Sequence, residues 1–308
     1  MSLQVTFLGT SGAVPTTDRN PSAVFVRREG DAMLFDAGEG TQRQMMRFGT
    51  GFDVDRVFVT HIHGDHVLGL PGLVQTWNFN EREDPLTVYT PAGTGHQVDE
   101  LLHVLDADPD YDVSVEAVNA GETVVDHPEY EIRAFATSHR TRSVGYALVE
   151  DDRKGRFDRE RAEELGVPVG PKFSTLHEGT PVELEDGTVV TPDEVVGPPR
   201  PGRTVVYTGD TRPDQHVVEA ASGADLLIHD ATFDESASDR ARETGHSTGK
   251  EAGTVAASAG VKRLALTHVS SRYAGNTGVL KDGARSAFDG RVLVARDGDE
   301  IDVPYPDR

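Results

Sequence analysis

The sequence contains no cysteine. Disulfide bonds and thiolate metal sites are therefore excluded, and any metal ion must be held by His, Asp or Glu. No apolar run approaches the roughly 18 residues of a membrane-spanning helix. The first residues also lack the charged and apolar regions of a signal peptide. We therefore expect a cytoplasmic protein with no membrane partner.

Lysine is scarce, because only five of the 30 basic residues are Lys, and the formal net charge is −22. An acidic, lysine-poor composition is favoured in a cytoplasm with molar salt, where high charge keeps a protein soluble although salt screens repulsion to about 3 Å. We therefore predict a halophilic source, the alternative being an ordinary acidic enzyme. The charge also disfavours a nucleic-acid partner, since phosphate binding normally needs a basic surface.

Short strands and helices mix along the whole chain. Apolar runs of strand length indicate sheets that are buried between other layers. Two strand-rich halves with flanking helices predict an α/β (α+β) chain that folds as a four-layer αββα sandwich. The predicted strands are Leu3–Leu8, Ala23–Val26, Ala32–Asp36, Val57–Val59, Leu86–Tyr89, Val113–Val118, Tyr130–Ala136, Val144–Val149, Thr204–Tyr207, Leu226–His229, Leu264–Thr267 and Val292–Val294, and the predicted helices are Gln42–Phe48, Leu68–Trp77, Gln215–Ala221, Lys250–Ala259 and Val279–Phe288.

Residues 151–200 differ from the rest of the chain. They are rich in charged residues, Gly and Pro, as in Gly166–Pro171. A stretch this long is usually a functional excursion or a disordered linker. Six basic and six acidic residues balance between Asp151 and Lys172, so this part is neutral inside a strongly acidic chain.

The strongest functional signal is the heptapeptide Thr60–His66, which directly follows an apolar strand. His61 and His63 are two residues apart in an extended segment, so they project to the same side and can share one metal ion. The glycine that follows permits a tight turn, which directs Asp65 and His66 towards a second metal ion. The alternative is a solvated polar loop at a strand end.

Three more ligand-type residues, His139, Asp210 and His268, each follow an apolar strand. Each alone would be weak evidence. Because loops gather at the ends of sheets, we expect these residues to join the first motif, and five His with two Asp are enough for two metal ions. We predict that one ion is held by His61, His63 and His139, that the other is held by Asp65, His66 and His268, and that Asp210 bridges them.

This constellation, together with the predicted αββα layers, resembles the metallo-β-lactamase superfamily over nearly the whole chain. The resemblance implies a single domain, residues 1–308. Imidazole and carboxylate ligands suit Zn²⁺ best, with Mn²⁺ or Fe as alternatives, so we expect two Zn²⁺ ions per subunit. Two such ions would activate water and hold a scissile phosphate.

Four further segments resemble the ribonuclease Z family specifically. Pro15–Asn20 is similar to the P-x-K-x-R-N loop that handles the tRNA 3′ end and its CCA, with Thr17 where the family has Lys. His229–Thr232 is similar to the H-E-A-T segment, with Asp for Glu; the other two are the H-S-T loop at His246–Thr248 and the H-x-S-x-R-Y ending at His268–Tyr273. The implied substrate-binding residues are Arg19, Asn20, Thr248, Ser270 and Arg272, the last as a bidentate phosphate contact.

The resemblance also implies the catalytic roles. In this family the acidic residue of H-E-A-T orients the His of H-S-T, which donates a proton to the leaving 3′-oxygen. Here these residues are Asp230 and His246, and Asp65 corresponds to the proposed general base. Expelling a ribose 3′-oxyanion needs a positioned acid, so the chemistry is coherent.

Residues 151–200 lie where the family carries a flexible arm, or exosite, that grips the tRNA elbow, commonly across a homodimer. The implied partners are therefore precursor tRNA and a second copy of the chain. An acidic body is compatible with RNA binding when a detached arm carries recognition. At molar salt, electrostatic binding is weak and recognition of shape contributes more.

The implied reaction cuts precursor tRNA after the discriminator base and leaves a 3′-hydroxyl on the tRNA and a 5′-phosphate on the trailer. Lactonases, thioesterases and arylsulfatase-like phosphodiesterases of the same fold lack the arm and the Ser-x-Arg-Tyr ending. A redox diiron protein of this fold would need a flavin-binding partner domain, and no such domain is expected in the sequence that follows Asp210. An inactive tRNA-binding protein would have lost metal ligands, yet all seven are present.

Overall fold

The computed structural model describes residues 2–104 and 108–306. These residues divide into two compact units. The first unit contains residues up to 149 and residues 203–304, and the second contains residues 150–202 with the last described residues. All residues of the expected active site belong to the first unit.

The first unit contains two seven-stranded sheets and one short pair of strands. The first sheet has the order β18-β1-β3-β4-β5-β6-β7 and consists of β1 (Leu3–Gly9), β3 (Ala23–Arg28), β4 (Asp31–Phe35), β5 (Arg56–Phe58), β6 (Leu86–Pro91), β7 (Val113–Val118) and β18 (Glu300–Asp302). The second has the order β17-β15-β14-β13-β10-β9-β8 and consists of β8 (Thr123–His127), β9 (Tyr130–Ala136), β10 (Val144–Glu150), β13 (Thr204–Tyr207), β14 (Leu226–Asp230), β15 (Arg263–Thr267) and β17 (Arg291–Val294). The short parallel pair is β2 (Ser11–Gly12) with β16 (Val269–Ser270).

Helices cover the outer faces of both sheets. Along the described residues, none of them combines the length and the hydropathy that a membrane span requires. The α-helices of the first unit are α1 (Thr41–Phe48), α2 (Gly64–Val67), α3 (Leu70–Phe79), α4 (Gly95–Leu102), α7 (Gln215–Ala220), α8 (Ser238–Thr244), α9 (Gly249–Ala259) and α10 (Gly278–Arg285), and two single 3₁₀ turns are Glu235–Ala237 and Ser271–Tyr273.

Three buried apolar clusters separate four layers. The cluster between the two sheets includes Phe7 from β1 and Ile228 from β14. On the outer face of the first sheet, Leu34 packs with residues of α1, α3 and α4, and on the outer face of the second, Leu227 packs with residues of α7, α9 and α10. Successive side chains of a strand point to opposite faces, so these apolar strands bury both faces. The prediction of a four-layer αββα sandwich is confirmed.

The direction of the strands places polar residues at the sheet ends. Strands β4 and β5 run parallel in the first sheet, and β13, β14 and β15 run parallel in the second. Asp36 follows β4, Asp210 follows β13, and His268 follows β15. The carboxyl ends of parallel strands are where open α/β sheets commonly bind ligands. The topology therefore brings residues that are far apart in sequence to the sheet ends.

The second unit has its own secondary structure and core. It contains α5 (Arg159–Glu164), α6 (Pro171–His177), a hairpin of β11 (Val182–Glu183) and β12 (Val189–Val190), and a 3₁₀ turn at Pro192–Glu194. The Asp158 carboxylate caps α5 by accepting a hydrogen bond from the Arg161 amide. A packed core distinguishes this segment from a disordered linker. The core residues are Ala162, Val167, Leu176, Val182, Val190 and Val195.

Candidate active site

Three imidazoles and one carboxylate converge at the first group of potential ligands. His63 Nδ1 lies 3.0 Å from His61 Nε2 and 3.3 Å from His139 Nε2. Asp210 Oδ2 lies 3.5 Å from His61 Nε2 and 3.9 Å from His139 Nε2. Three ring nitrogens and one carboxylate oxygen therefore face one another, and this is a set of ligands that a small metal cation can bind.

A second group meets the other oxygen of the same carboxylate. Asp210 Oδ1 lies 3.2 Å from His268 Nε2 and 3.3 Å from His66 Nε2. Asp65 Oδ2 lies 3.1 Å from His268 Nε2 and 3.7 Å from His66 Nε2. Asp210 therefore presents one oxygen to each group.

Within the part of the chain that the structure describes, two atoms of these groups are buried without a hydrogen-bond partner. They are His66 Nε2 and Asp210 Oδ1, which lie only 3.3 Å apart. Burying a polar atom without a partner costs about 1–3 kcal/mol, so such atoms need another explanation. A cation between them satisfies both atoms, and the donor chemistry fits it. We conclude that this is a metal-binding site.

Electrostatics keeps most of the donors in the form that binds metals. The exception is His66: burial acts to lower its pKa, but Asp210 and Asp36 outweigh burial and raise that pKa well above its usual value. Burial lowers the pKa of His61 well below its usual value, and His66 beside it acts in the same direction. Burial also lowers the pKa of His63 and of His139. Burial acts to raise the pKa of Asp65, but the hydrogen bond from His268 and the charges of His66 and His268 together outweigh burial and hold that pKa below its usual range. Neutral imidazoles and ionised carboxylates are the metal-ligating forms.

Asp36 is a functional residue that the sequence interpretation missed. Its buried carboxylate accepts hydrogen bonds from the Thr60 amide at 2.7 Å and from the Tyr207 hydroxyl at 2.8 Å, and it lies 2.7 Å from His66 Nδ1. A partner on the far nitrogen fixes the tautomer and the orientation of a ligating imidazole. Asp36 directly follows the strand Asp31–Phe35, and a position after an apolar strand is the signal that identified Asp210 and His139.

Two other imidazoles are oriented in the same way. His139 Nδ1 lies 2.8 Å from the main-chain oxygen of Gly245, and His268 Nδ1 lies 2.8 Å from Thr232 Oγ1. His268 itself adopts a positive φ of 59°, as does Asp36 at 56°. This left-handed backbone is disfavoured for residues with a Cβ, and such outliers cluster at functional sites.

His246 lies beside both groups of ligands. Its Nδ1 is 2.9 Å from Asp230 Oδ2, and its ring stacks on that of His268 with centroids 5.0 Å apart. Asp230 is fully buried, and its other oxygen accepts hydrogen bonds from the amide and hydroxyl of Thr232. Although Asp is one methylene shorter than the Glu of the H-E-A-T segment, it reaches His246 here.

The charge state of His246 follows from these carboxylates. Burial opposes protonation, but Asp230 and Asp210 outweigh it and raise the pKa of His246 to about 9. The imidazole is therefore protonated at neutral pH and can donate a proton. Because Nδ1 is held by Asp230, Nε2 is the nitrogen left to donate it.

Comparisons with known proteins agree with this geometry. A family model described as the metallo-beta-lactamase superfamily matches residues 16–243. A ribonuclease Z of Halobacterium salinarum is 66% identical over 307 residues, which cover 100% of this chain and 99% of the relative. The chain belongs to the ribonuclease Z family. The Halobacterium relative also supports the prediction of a halophilic source.

More distant members of the ribonuclease Z family match the whole chain too. A ribonuclease Z of Methanosarcina acetivorans is 50% identical and covers 98% of this chain and 99% of the relative. The crystal structure of human tRNase Z, short form, is similar with a TM-score of 0.70 and 28% identity, covering 98% of this chain and 99% of that chain.

Two of the five expected substrate-binding side chains are buried in this ribonuclease Z fold. The Arg19 guanidinium donates hydrogen bonds at 2.6 Å to Thr10 Oγ1 and to the main-chain oxygen of Ala295. Thr248 is fully buried, caps α9 and donates a hydrogen bond to Glu235. Neither side chain is open to a ligand in this structure, and packing accounts for both.

The other three lie where a ligand could reach them. The Arg272 side chain is exposed and lies over the Phe233 ring at 5.4 Å, with no hydrogen bond or ion pair within the described residues. Ser270 is half-buried in β16. The Asn20 side chain donates a hydrogen bond to the main-chain oxygen of Glu39 at 2.8 Å. Thr17, where the family has Lys, is exposed.

Replacing Asp36 by Asn is expected to weaken metal binding by about 10- to 100-fold, since the amide no longer fixes the tautomer of His66 as a carboxylate does. The measurement is a titration of the metal-stripped protein with Zn²⁺. Asp31→Asn, at the other end of β4, is the control. Unchanged Zn²⁺ affinity in Asp36→Asn would show that the Asp36 carboxylate does not support the ligand.

Proposed function

We propose that this chain is a zinc-dependent endoribonuclease that removes the 3′ trailer of precursor tRNA. It cuts after the discriminator base and leaves a 3′-hydroxyl on the tRNA and a 5′-phosphate on the trailer. The observation that carries the proposal is the position of His246, which Asp230 holds through Nδ1 at 2.9 Å beside the two groups of candidate metal ligands. A proton donor at this place serves a leaving group as basic as a ribose oxygen.

The proposed metal content is two Zn²⁺ ions per subunit. The first ion would be held by His61, His63, His139 and one oxygen of Asp210, and the second by Asp65, His66, His268 and the other oxygen. Imidazole-rich sites with carboxylates suit Zn²⁺, while Mn²⁺ or Fe are the alternatives. When bound, the two ions would lower the pKa of water and offset the charge that develops on the phosphate.

His246 is proposed as the general acid and Asp230 as the residue that positions it. The Asp230 carboxylate holds Nδ1 and stabilises the imidazolium, so that Nε2 delivers the proton to the leaving 3′-oxygen. Without this proton the product would be a strongly basic alkoxide. Asp230 itself stays ionised, since burial acts to raise its pKa but the charge and hydrogen bond of His246 outweigh burial and lower it.

Asp65 is proposed as both a ligand and the general base. Its Oδ2 lies 3.1 Å from His268 Nε2, where both side chains would hold the second ion, and it accepts a hydrogen bond from the Ala13 amide at 2.7 Å. Its Oδ1 remains available to accept a proton from the attacking water. Ala13 belongs to the loop that ends at Asn20, so the main chain of this proposed RNA-binding loop orients the base.

The second unit is proposed as the arm that contacts tRNA. Basic residues of this unit concentrate in its first half, while residues 173–202 contain six acidic residues and one basic residue, Arg200. Contact with phosphates would therefore come from residues 153–172, and the rest would contribute shape. A homodimer, in which one subunit's arm serves the other's site, is part of the same proposal.

The purified protein in high-salt buffer is expected to cut end-labelled precursor tRNA at the 3′ end of the acceptor stem. A chelator should abolish the reaction and added Zn²⁺ should restore it. Asp65→Ala should lower the rate by about 10³-fold or more, because it removes a ligand and the proposed base. Asp289→Ala, which changes an exposed aspartate, is the matched control.

The same assay can also reject the proposal. If the intact protein hydrolysed bis(p-nitrophenyl) phosphate but left precursor tRNA uncut, the metal site would stand. The RNA substrate would then be wrong, and another hydrolase activity of this fold would take its place.

A further inference from the structure

We propose that Arg212 is a positioning residue that holds His246 in register with the metal ligands, so that proton transfer to the leaving oxygen is efficient. The proposal rests on the proposed function, because it concerns the general acid of that reaction. Arg212 belongs to neither group of ligands and was not among the residues singled out from the sequence.

The Arg212 guanidinium contacts the main chain of His246 and the side chain of Glu251. Its Nη1 donates hydrogen bonds to the His246 oxygen at 2.5 Å and to Glu251 Oε2 at 2.9 Å, and its Nη2 bonds the other oxygen of Glu251. The two side chains are largely buried, with 19% and 26% of their surfaces exposed. A two-pronged ion pair in such surroundings is directional as well as strong.

Glu251 continues this connection to the other end of the His246 loop. Its carboxylate accepts a hydrogen bond from the Thr248 amide at 2.8 Å, and the Thr248 hydroxyl accepts one from the Glu251 amide at 3.2 Å. This capping box fixes the start of α9. The loop 246–248 is therefore held at its first residue by Arg212 and at its last by Glu251.

The main chain of Arg212 connects the same loop to the metal ligands. Arg212 is two residues after Asp210, the shared carboxylate, and its amide donates a hydrogen bond to the Ser138 oxygen at 2.8 Å. Ser138 directly precedes His139, and its own amide donates to Thr211 Oγ1 at 3.1 Å. One short segment thus joins the bridging ligand, a ligand of the first group and the proposed acid.

Loss of the guanidinium fork would free the His246 carbonyl while the ligands keep their own hydrogen bonds. A displacement of about 1 Å in a catalytic group can cost on the order of 100-fold in rate. The rate should decrease only for reactions whose leaving group needs a proton. A defect that depends on the leaving group is therefore the signature of a positioning role.

The test compares Arg212→Gln with the wild type under single-turnover conditions at saturating RNA. One substrate is precursor tRNA, and the other is the same RNA with sulfur in place of the bridging 3′-oxygen at the scissile bond, whose thiolate leaves without a proton. We expect Arg212→Gln to cut the oxygen substrate about 10- to 100-fold more slowly and the sulfur substrate at close to the wild-type rate.

Arg82→Gln is the matched control. The Arg82 guanidinium also clamps main-chain oxygens, those of Val54, Asp84 and Pro85, but it lies outside the site. This variant should treat both substrates as the wild type does. Bound zinc per chain, measured on each protein, should be the same in all three.

Two results would overturn the proposal. Equal losses on both substrates would show that Arg212 supports the whole site, and no loss on either would show that it does not matter. The rate of the wild-type protein on the oxygen substrate tests the proposed function separately. If the wild-type protein left this substrate uncut, the proposed function would be refuted, and the role of Arg212 would be refuted with it.

Discussion

Asp210→Asn is expected to lower the cleavage of precursor tRNA by about 10³-fold or more. Among the residues that the structure describes, Asp210 is the one that presents an oxygen to each group of ligands, at 3.5 Å from His61 and 3.2 Å from His268. An amide of the same shape has one oxygen and one NH₂ donor, so it cannot serve both groups. Metal ions supply several kcal/mol of transition-state stabilisation, and each 1.4 kcal/mol is about tenfold in rate.

The measurement pairs the cleavage rate with the number of zinc ions per chain. Asp210→Asn should carry less zinc than the wild type, and added zinc should not restore the rate. Asp225→Asn is the control, because Asp225 is another buried aspartate but bonds Lys262 and the Thr204 amide away from the site. A variant with full zinc content and a nearly normal rate would contradict the bridging role.

His246→Ala is expected to have the second-largest effect, a loss of about 10²- to 10⁴-fold on precursor tRNA. The physical reason is the loss of the proton donor and not the loss of metal. The zinc content of His246→Ala should therefore stay unchanged. The loss should nearly vanish with bis(p-nitrophenyl) phosphate, whose phenolate leaves without a proton. His216→Ala, which changes an exposed histidine on α7, should behave as the wild type on both substrates.

A different pattern would reject the assignment of the acid. Equal losses of His246→Ala on RNA and on the aryl ester would mean that His246 supports the metal site or the fold. Retention of full activity on RNA would leave the leaving oxygen without a donor from this chain, and water would be the remaining source of the proton.

The predicted elements agree with the structure where the periodic signal is long. The helix predicted at Leu68–Trp77 is found as α3, but it begins at Leu70, after a separate turn of helix at Gly64–Val67. Strand β18 was not predicted, because its three residues become a strand only by pairing with β1 from the other end of the chain. Short edge strands depend on such partners more than on their own residues.

The sequence by itself indicated which residues could form the candidate site. Ligand-type residues placed directly after apolar strands predicted all seven residues of the two ligand groups, and the resemblance of short segments indicated His246 and Asp230. Strand ends meet in any layered sheet fold, so these predictions needed no distances.

Only the tertiary structure decided which polar residues serve the site indirectly. Arg19 and Thr248 lie in motifs, yet their side chains are buried in packing and capping roles. Asp36 and Arg212 lie outside the motifs singled out, yet they contact His66 and His246. A sequence pattern reveals the type of a side chain but not its direction, because burial and hydrogen-bond partners come from other segments that the fold brings alongside: Asp36 and His66 are 30 residues apart, and Arg212 and His246 are 34 apart.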